Sequence, residues 1–196
     1  PLAEHVKSLS IKRHQEDEEF RKEYPFICIN GSRSYEFFHS ENRQQKTMRE
    51  FHPWPIVKIS PQTAKEYDMS EGEWIWIENT EGRCKQKVHI DPVLDPHYIH
   101  AEHGWWYPEQ EPAFPHLYGA FDSNINNLTT SFETGQGGIG NPLKAPVCKI
   151  YKVTAENAEP TPGEVVTEMN GFRDDYVAGE PYAWTHDNTT REGGRF

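Results

Sequence analysis

The chain is poor in cysteine, in positive charge and in long apolar runs, and each shortage removes a class of function. Its three cysteines, Cys28, Cys84 and Cys148, are far apart, odd in number and without a C-x-x-C spacing. That pattern indicates neither a zinc site, an iron–sulfur cluster nor a disulfide framework, and it reads as buried thiols. A formal net charge of −11 repels a nucleic-acid backbone at long range, so nucleic acid is not the expected partner, whereas a small phosphate ligand in a local basic pocket is compatible with it. No stretch approaches the ~20 apolar residues that span a bilayer and no charged-then-apolar leader is seen, so no direct membrane insertion is expected. The chain opens at Pro1 without a methionine, which suggests a piece of a longer chain. Internal repeats are also missing.

What is present is enough for one core. The chain has 196 residues, 35% hydrophobic and 13% aromatic, the expectation for one domain with tails. Residues 1–23 read as a linker or short exposed helix, since Ile11 to Tyr24 is rich in Glu, Lys and Arg with Phe20 its main apolar residue. Residues 24–153 then alternate apolar runs with turns. Phe26–Ile29 reads as a strand, Pro55–Ser60 as another, and Ser60-Pro61 as an N-cap and first-turn proline opening a short helix. Glu73–Asn79 and Arg83–Ile90 read as a half-buried hairpin, with Cys84, Gln86, Val88 and Ile90 on one face and Arg83, Lys85, Lys87 and His89 on the other. Tyr98–Glu102 and Pro146–Val153 complete a mainly β order with short helices. Residues 154–196 form an acidic aromatic tail, with nine acidic and three basic residues, that is either disordered or wrapped over a larger partner.

Two motifs invite chemistry that their context does not support. His97, His100 and His103 form H-x-x-H-x-x-H, but on a strand His100 points away from the other two, and Pro96 and Gly104 leave too little length for a helix. A free-standing β-barrel metalloenzyme using these histidines is kept as an alternative, as is an interaction module acting through the tail. Gly135–Gly140 matches G-x-G-x-x-G, yet no buried strand precedes it and no helix follows, so it reads as a flexible loop. No nucleophile–base arrangement or carboxylate pair can be assembled from local motifs.

The stretch from Pro25 to Ser40 instead reads as an anion site. A short strand leads into Asn30 and Gly31, and Arg33, with its fixed fork of donors, could close with His39 and Ser40 on a phosphate. Ala101–Pro108 and Ser123–Thr130 add glycine turns, aromatic planes and amide groups suited to the mixed edges of a guanine or pterin ring.

Taken in order, N-G-S-R with H-S, S-P-x-x-A before E-G-E-W, H-G-W-W, S-N-I-N-N-L-T and P-V-C-K-I resemble the C-terminal dinucleotide-binding domain of molybdopterin oxidoreductases of the dimethyl sulfoxide reductase family. The resemblance covers about Tyr24 to Val153. It implies a double-psi β-barrel and, as ligand, molybdopterin guanine dinucleotide with molybdenum or tungsten, shared with upstream domains of the same polypeptide. By position it implies that Asn30, Gly31, Ser32 and Arg33 meet the pterin, that His39 and Ser40 lie near pterin or phosphate, and that Asn124 and Asn126 are later amide contacts. His103, Gly104, Trp105 and Trp106 would shape the pocket. The metal-ligating side chain and iron–sulfur cysteines of the family lie in preceding domains, so this chain alone is expected to show no turnover. An iron–sulfur cluster in the parent enzyme, an iron–sulfur electron-transfer subunit and a role in anaerobic respiration are accompaniments of the family. The wording of H-G-W-W and S-N-I-N is closest to a branch holding reductases of sulfur compounds, phenol dehydroxylases and acetylene hydratase, whose reactions differ.

Overall fold

Runs rich in isoleucine, valine and tryptophan, each closed by turn residues, form six strands: β1 (Phe26–Ser32), β2 (Ile56–Ile59), β3 (Trp74–Glu78), β4 (Arg83–Ile90), β5 (Tyr98–Glu102) and β6 (Val147–Lys152). The structure, a computed structural model, describes residues 9–113, 117–129 and 145–158. The strands close into a barrel in the order β1-β5-β2-β4-β3-β6. β1 with β5 and β2 with β4 are parallel, and the other neighbours are antiparallel. Parallel neighbours cannot be joined by a hairpin, so the chain needs long connections, and these build the rim of the barrel. Inward positions recur every second residue: Val57 and Ile59, Ile75 and Ile77, Ile99 and Ala101, Cys148 and Ile150. The three cysteines are free and buried; burial pushes the thiols of Cys84 and Cys148 well above their usual range, so they pack as small apolar groups.

Short helices fill in around this frame. The N-terminal stretch forms two short helices, α1 (Leu9–Glu16) and α2 (Glu18–Glu23), with few buried residues: Phe20 and Tyr24 bury against Val147 of β6, and Asp17 caps α2 by accepting from the Phe20 amide at 3.0 Å. Helix α3 (Lys46–Phe51) has no strong sequence mark, because it buries Arg49 and leaves Phe51 74% exposed. Helix α4 (Pro61–Glu66) starts as expected, with Ser60 Oγ accepting from the Thr63 amide at 3.0 Å ahead of Pro61. Helix α5 (Ala120–Ser123) leads into a 3₁₀ turn, Ile125–Leu128, whose Ile125 and Leu128 enter the barrel core.

The alternation expected for β4 fails at Lys85. Its side chain is fully buried, with Nζ 3.6 Å from Asp122 of α5 and 5.1 Å from the centre of the Trp76 ring. Helix α5 covers that part of the outer face, and burial lowers the Lys85 pKa while Asp122 opposes the shift. The Gly135–Gly140 motif and most of the acidic tail lie outside the described residues. At the start of the tail, Asn157 Oδ1 accepts from the Trp76 indole at 3.2 Å and from the Thr154 amide at 2.8 Å.

Candidate functional site

The register of β1 on β5 places the site. Asn30 sits opposite Ala101 and Ser32 opposite Glu102, and the ladder shifts between Asn30 and Ser32, where Gly31 has φ 120°. A non-glycine residue is strained there, although a Cβ at Gly31 would meet no atom within 4 Å. The strand therefore runs through Asn30–Ser32 instead of turning at Asn30, a correction to the sequence reading, because β5 supplies pairing partners to its end. The open space above Gly31 leaves its backbone approachable. Since the two strands are parallel, their C-terminal ends lie side by side and the loops that follow them, 33–45 and 103–113, share one end of the barrel.

Those loops are held together by a residue that the sequence does not single out. Arg43 is 2% exposed, with its guanidinium 4.5 Å from the ring centres of both Phe37 and Trp105. It donates to the carbonyl of His39 at 2.9 Å and to that of His103 at 3.3 Å, bridging the two loops. Burial lowers its pKa to about 10, with Glu102 acting in the opposite direction, so it stays cationic at neutral pH. Beside it, Arg49 is fully buried and forks onto Glu109 at 3.0 and 3.3 Å. Burial raises the Glu109 pKa and Arg49 pulls it back.

On this support sit most of the residues expected at a ligand. His39 Nδ1 and His103 Nε2 are 2.7 Å apart. Gly104 has φ 65°, and a Cβ there would come within 3.3 Å of Ser40, so glycine allows the second loop to press on the first. The Trp106 indole donates to the Ser40 carbonyl at 2.6 Å. Trp105 lies wholly inside, packed edge-on to Phe37, and acts on this end of the barrel through Arg43 and the loops. Arg33 is exposed, 5.1 Å over the ring of Phe38, which itself packs against His39.

The third segment joins through Gln86. Its amide donates to the carbonyls of Glu102 at 2.9 Å and Ser123 at 3.3 Å, and accepts from the Glu102 amide at 3.1 Å. Tyr107 and Ser123 hydroxyls meet at 2.6 Å. Asn124 Oδ1 accepts from the Asn126 amide at 3.0 Å, capping the 3₁₀ turn, so one side of the Asn124 amide already has a structural task. Asn126 is exposed. The end of β1, the His39–Ser40 loop, the 103–107 loop and the start of the Asn124–Leu128 segment thus belong to one connected rim.

The three histidines of the metal alternative do not converge. His97, before β5, pairs with Asp95 at 2.9 Å and is mostly exposed, His100 lies within β5, and His103 reaches His39 past its far end. At about 3.3 Å per residue, His97 and His103 are about 20 Å apart along the strand. Among the described residues no group of three metal-ligating side chains forms.

Arg33, the exposed amide of Asn126, an imidazole and an open backbone at Gly31 suit a ligand with both anionic groups and a mixed donor–acceptor ring. Comparison with known proteins agrees on the class. The domain family described as "Molydopterin dinucleotide binding domain" matches residues 14–145. Dopamine dehydroxylase of Eggerthella lenta is 38% identical over 138 residues, 70% of this chain and 13% of that protein. Acetylene hydratase of Syntrophotalea acetylenica is 39% identical over 95 residues, 48% of this chain and 13% of that protein. The solved structure of acetylene hydratase from Pelobacter acetylenicus superposes with a TM-score of 0.66 at 32% identity, covering 71% of this chain and 20% of that one. The chain therefore spans 13% of the length of the curated relatives it matches.

Proposed function

The chain belongs to the molybdopterin dinucleotide-binding domain family and is related to oxidoreductases of the dimethyl sulfoxide reductase family; from that premise we propose that it is the C-terminal cofactor-holding domain of a larger molybdenum or tungsten enzyme. The cofactor taken is the guanine form of the dinucleotide. When bound, the group supplies a metal dithiolene centre for two-electron or oxygen-atom-transfer chemistry, and this chain's residues bind and orient it. Asn30, Gly31, Ser32 and Arg33 form one wall. His39, Ser40, His103 and Gly104 form a second, with Trp105 behind them, and Asn124 and Asn126 present amides to the ring edge.

What supports this reading is the joining of the ends of β1 and β5, which gathers residues distant in sequence at one rim. By their names one relative dehydroxylates dopamine and another hydrates acetylene. A domain common to such different reactions fits a role in holding the cofactor, with substrate choice made by upstream domains of the same polypeptide. An iron–sulfur cluster in those domains and an iron–sulfur electron-transfer partner complete the proposed enzyme.

The test is composition. The complete polypeptide carrying this domain, purified without oxygen, is expected to release guanine nucleotide on acid hydrolysis and to hold stoichiometric molybdenum or tungsten. Cytidine nucleotide in its place overturns the guanine assignment. A fully active polypeptide without pterin, nucleotide and either metal overturns the functional reading as a whole.

A further inference from the structure

The contact between His39 and His103 differs in kind from the rest of the rim. Nδ1 of one ring and Nε2 of the other are 2.7 Å apart, with ring centres 5.0 Å apart and planes 78° to each other. An N-to-N contact this short needs one donor and one acceptor, so a single proton lies between the rings. A further proton is accommodated on an outer nitrogen, Nε2 of His39 or Nδ1 of His103. Placing one on both rings sets two N–H groups against each other, which this geometry opposes.

The pair is held from several sides. The backbone carbonyls of both histidines accept from Arg43 at 2.9 and 3.3 Å, and the His39 amide donates to the Glu41 carboxylate at 2.9 Å. Phe38 packs edge-on against His39 at 4.4 Å, with Arg33 on that ring. From β5, Glu102 precedes His103 and is bonded to His52 at 2.9 Å. Arg43 and Glu41 thus bond the backbone of the pair, Arg33 lies on its Phe38 neighbour, and the Glu102 carboxylate is engaged by His52.

We propose that His39 and His103 act as a one-proton couple at the cofactor end of the barrel, taking up a single proton as a unit and exchanging it with the bound ligand or its water. On release, the proton passes from an outer imidazole nitrogen to an oxygen or sulfur of the ligand, and the couple is left as two neutral rings still joined by their N–H···N bond. The proton's use at a ligand rests on the proposed cofactor reading, whereas the couple itself does not.

Histidine-labelled 196-residue chain, observed by nitrogen NMR without cofactor, tests the couple directly. The expected result is a scalar coupling between Nδ1 of His39 and Nε2 of His103, and a single proton taken up by the two rings as a unit. In His103→Gln, His39 is expected to lose the coupling. Two rings that each become doubly protonated, with no coupling between them, overturn the proposal; because the wild-type spectrum decides this, a poorly folded variant does not stand in the way. In the complete polypeptide, with rates taken per molybdenum or tungsten bound, His103→Gln is expected to shift one limb of the pH–rate profile. An unchanged profile overturns the exchange with ligand, and loss of cofactor class in wild type, read separately by hydrolysis, overturns the functional reading instead.

Discussion

Replacing Arg43 with Met removes the bridge between the two loops while keeping much of the side chain's bulk. Two charge-assisted hydrogen bonds, to the carbonyls of His39 and His103, are together worth about 3–6 kcal/mol, and two cation–π contacts with Phe37 and Trp105 add about 1–2 kcal/mol. Against this stands the cost of burying the guanidinium. The lowering of its pKa to about 10 corresponds to roughly 3 kcal/mol that already weighs against the charge in the folded protein. The net loss expected for Arg43→Met is about 2–4 kcal/mol, since the methionine recovers the desolvation cost and leaves two carbonyls without their donor. Arg43→Lys keeps the charge, but one ammonium lacks the fork that spans both carbonyls, so it is expected to recover less than half of the difference. Urea unfolding gives the stability, and amide exchange of residues 39–44 and 103–106 reports whether the loops loosen. A change within about 0.5 kcal/mol, with exchange in both loops unaltered, would refute the bridging role.

Gln86→Leu leaves the amide and carbonyl of Glu102 and the carbonyl of Ser123 without their partner at the rim, and a loss of about 2–4 kcal/mol in urea unfolding is expected; a neutral variant contradicts the bridge between segments. Gly104→Ala introduces a side chain at φ 65° and 3.3 Å from Ser40, for an expected cost of about 1–3 kcal/mol and slower recovery of bound cofactor in the complete polypeptide; wild-type stability shows that the close approach is not needed. Asn124→Ala loses the cap on the 3₁₀ turn, worth about 1 kcal/mol, and the proposed amide contact as well. Stability and metal content should both fall, while a fall in stability alone assigns the residue to the cap only.

The strands were legible because their inward residues repeat with period two, as in Ile75 and Ile77 or Val57 and Ile59, and because Ser60-Pro61 states a helix start locally. The parts of the rim that could be named were those in short ordered motifs: Asn30–Arg33, His39-Ser40, His103–Trp106 and Asn124–Asn126. The supports under them were not legible. Arg43 and Arg49 carry no local motif, and their partners, the carbonyl of His103 and the carboxylate of Glu109, lie 60 residues away. Helix α3 hides for the same reason, since its buried position is an arginine and its phenylalanine faces out. Lys85 misled the reading of β4 because local alternation carries no information about Asp122 and α5, which cover it. In each case the missing knowledge is a long-range partner that makes burial of a charge tolerable.

The central claim is that one rim of this barrel holds the dinucleotide, and hydrogen exchange of the complete polypeptide, with and without cofactor, tests it most directly. Exchange is predicted to slow on loading in residues 30–40, 103–107 and 123–128, which meet at that rim. Residues 59–66 and 90–97, where β2 and β4 end, α4 begins and β5 has not yet started, are predicted to be unchanged. Protection confined to those opposite residues, or absent from all three rim segments in a polypeptide shown to be loaded, would contradict the assignment.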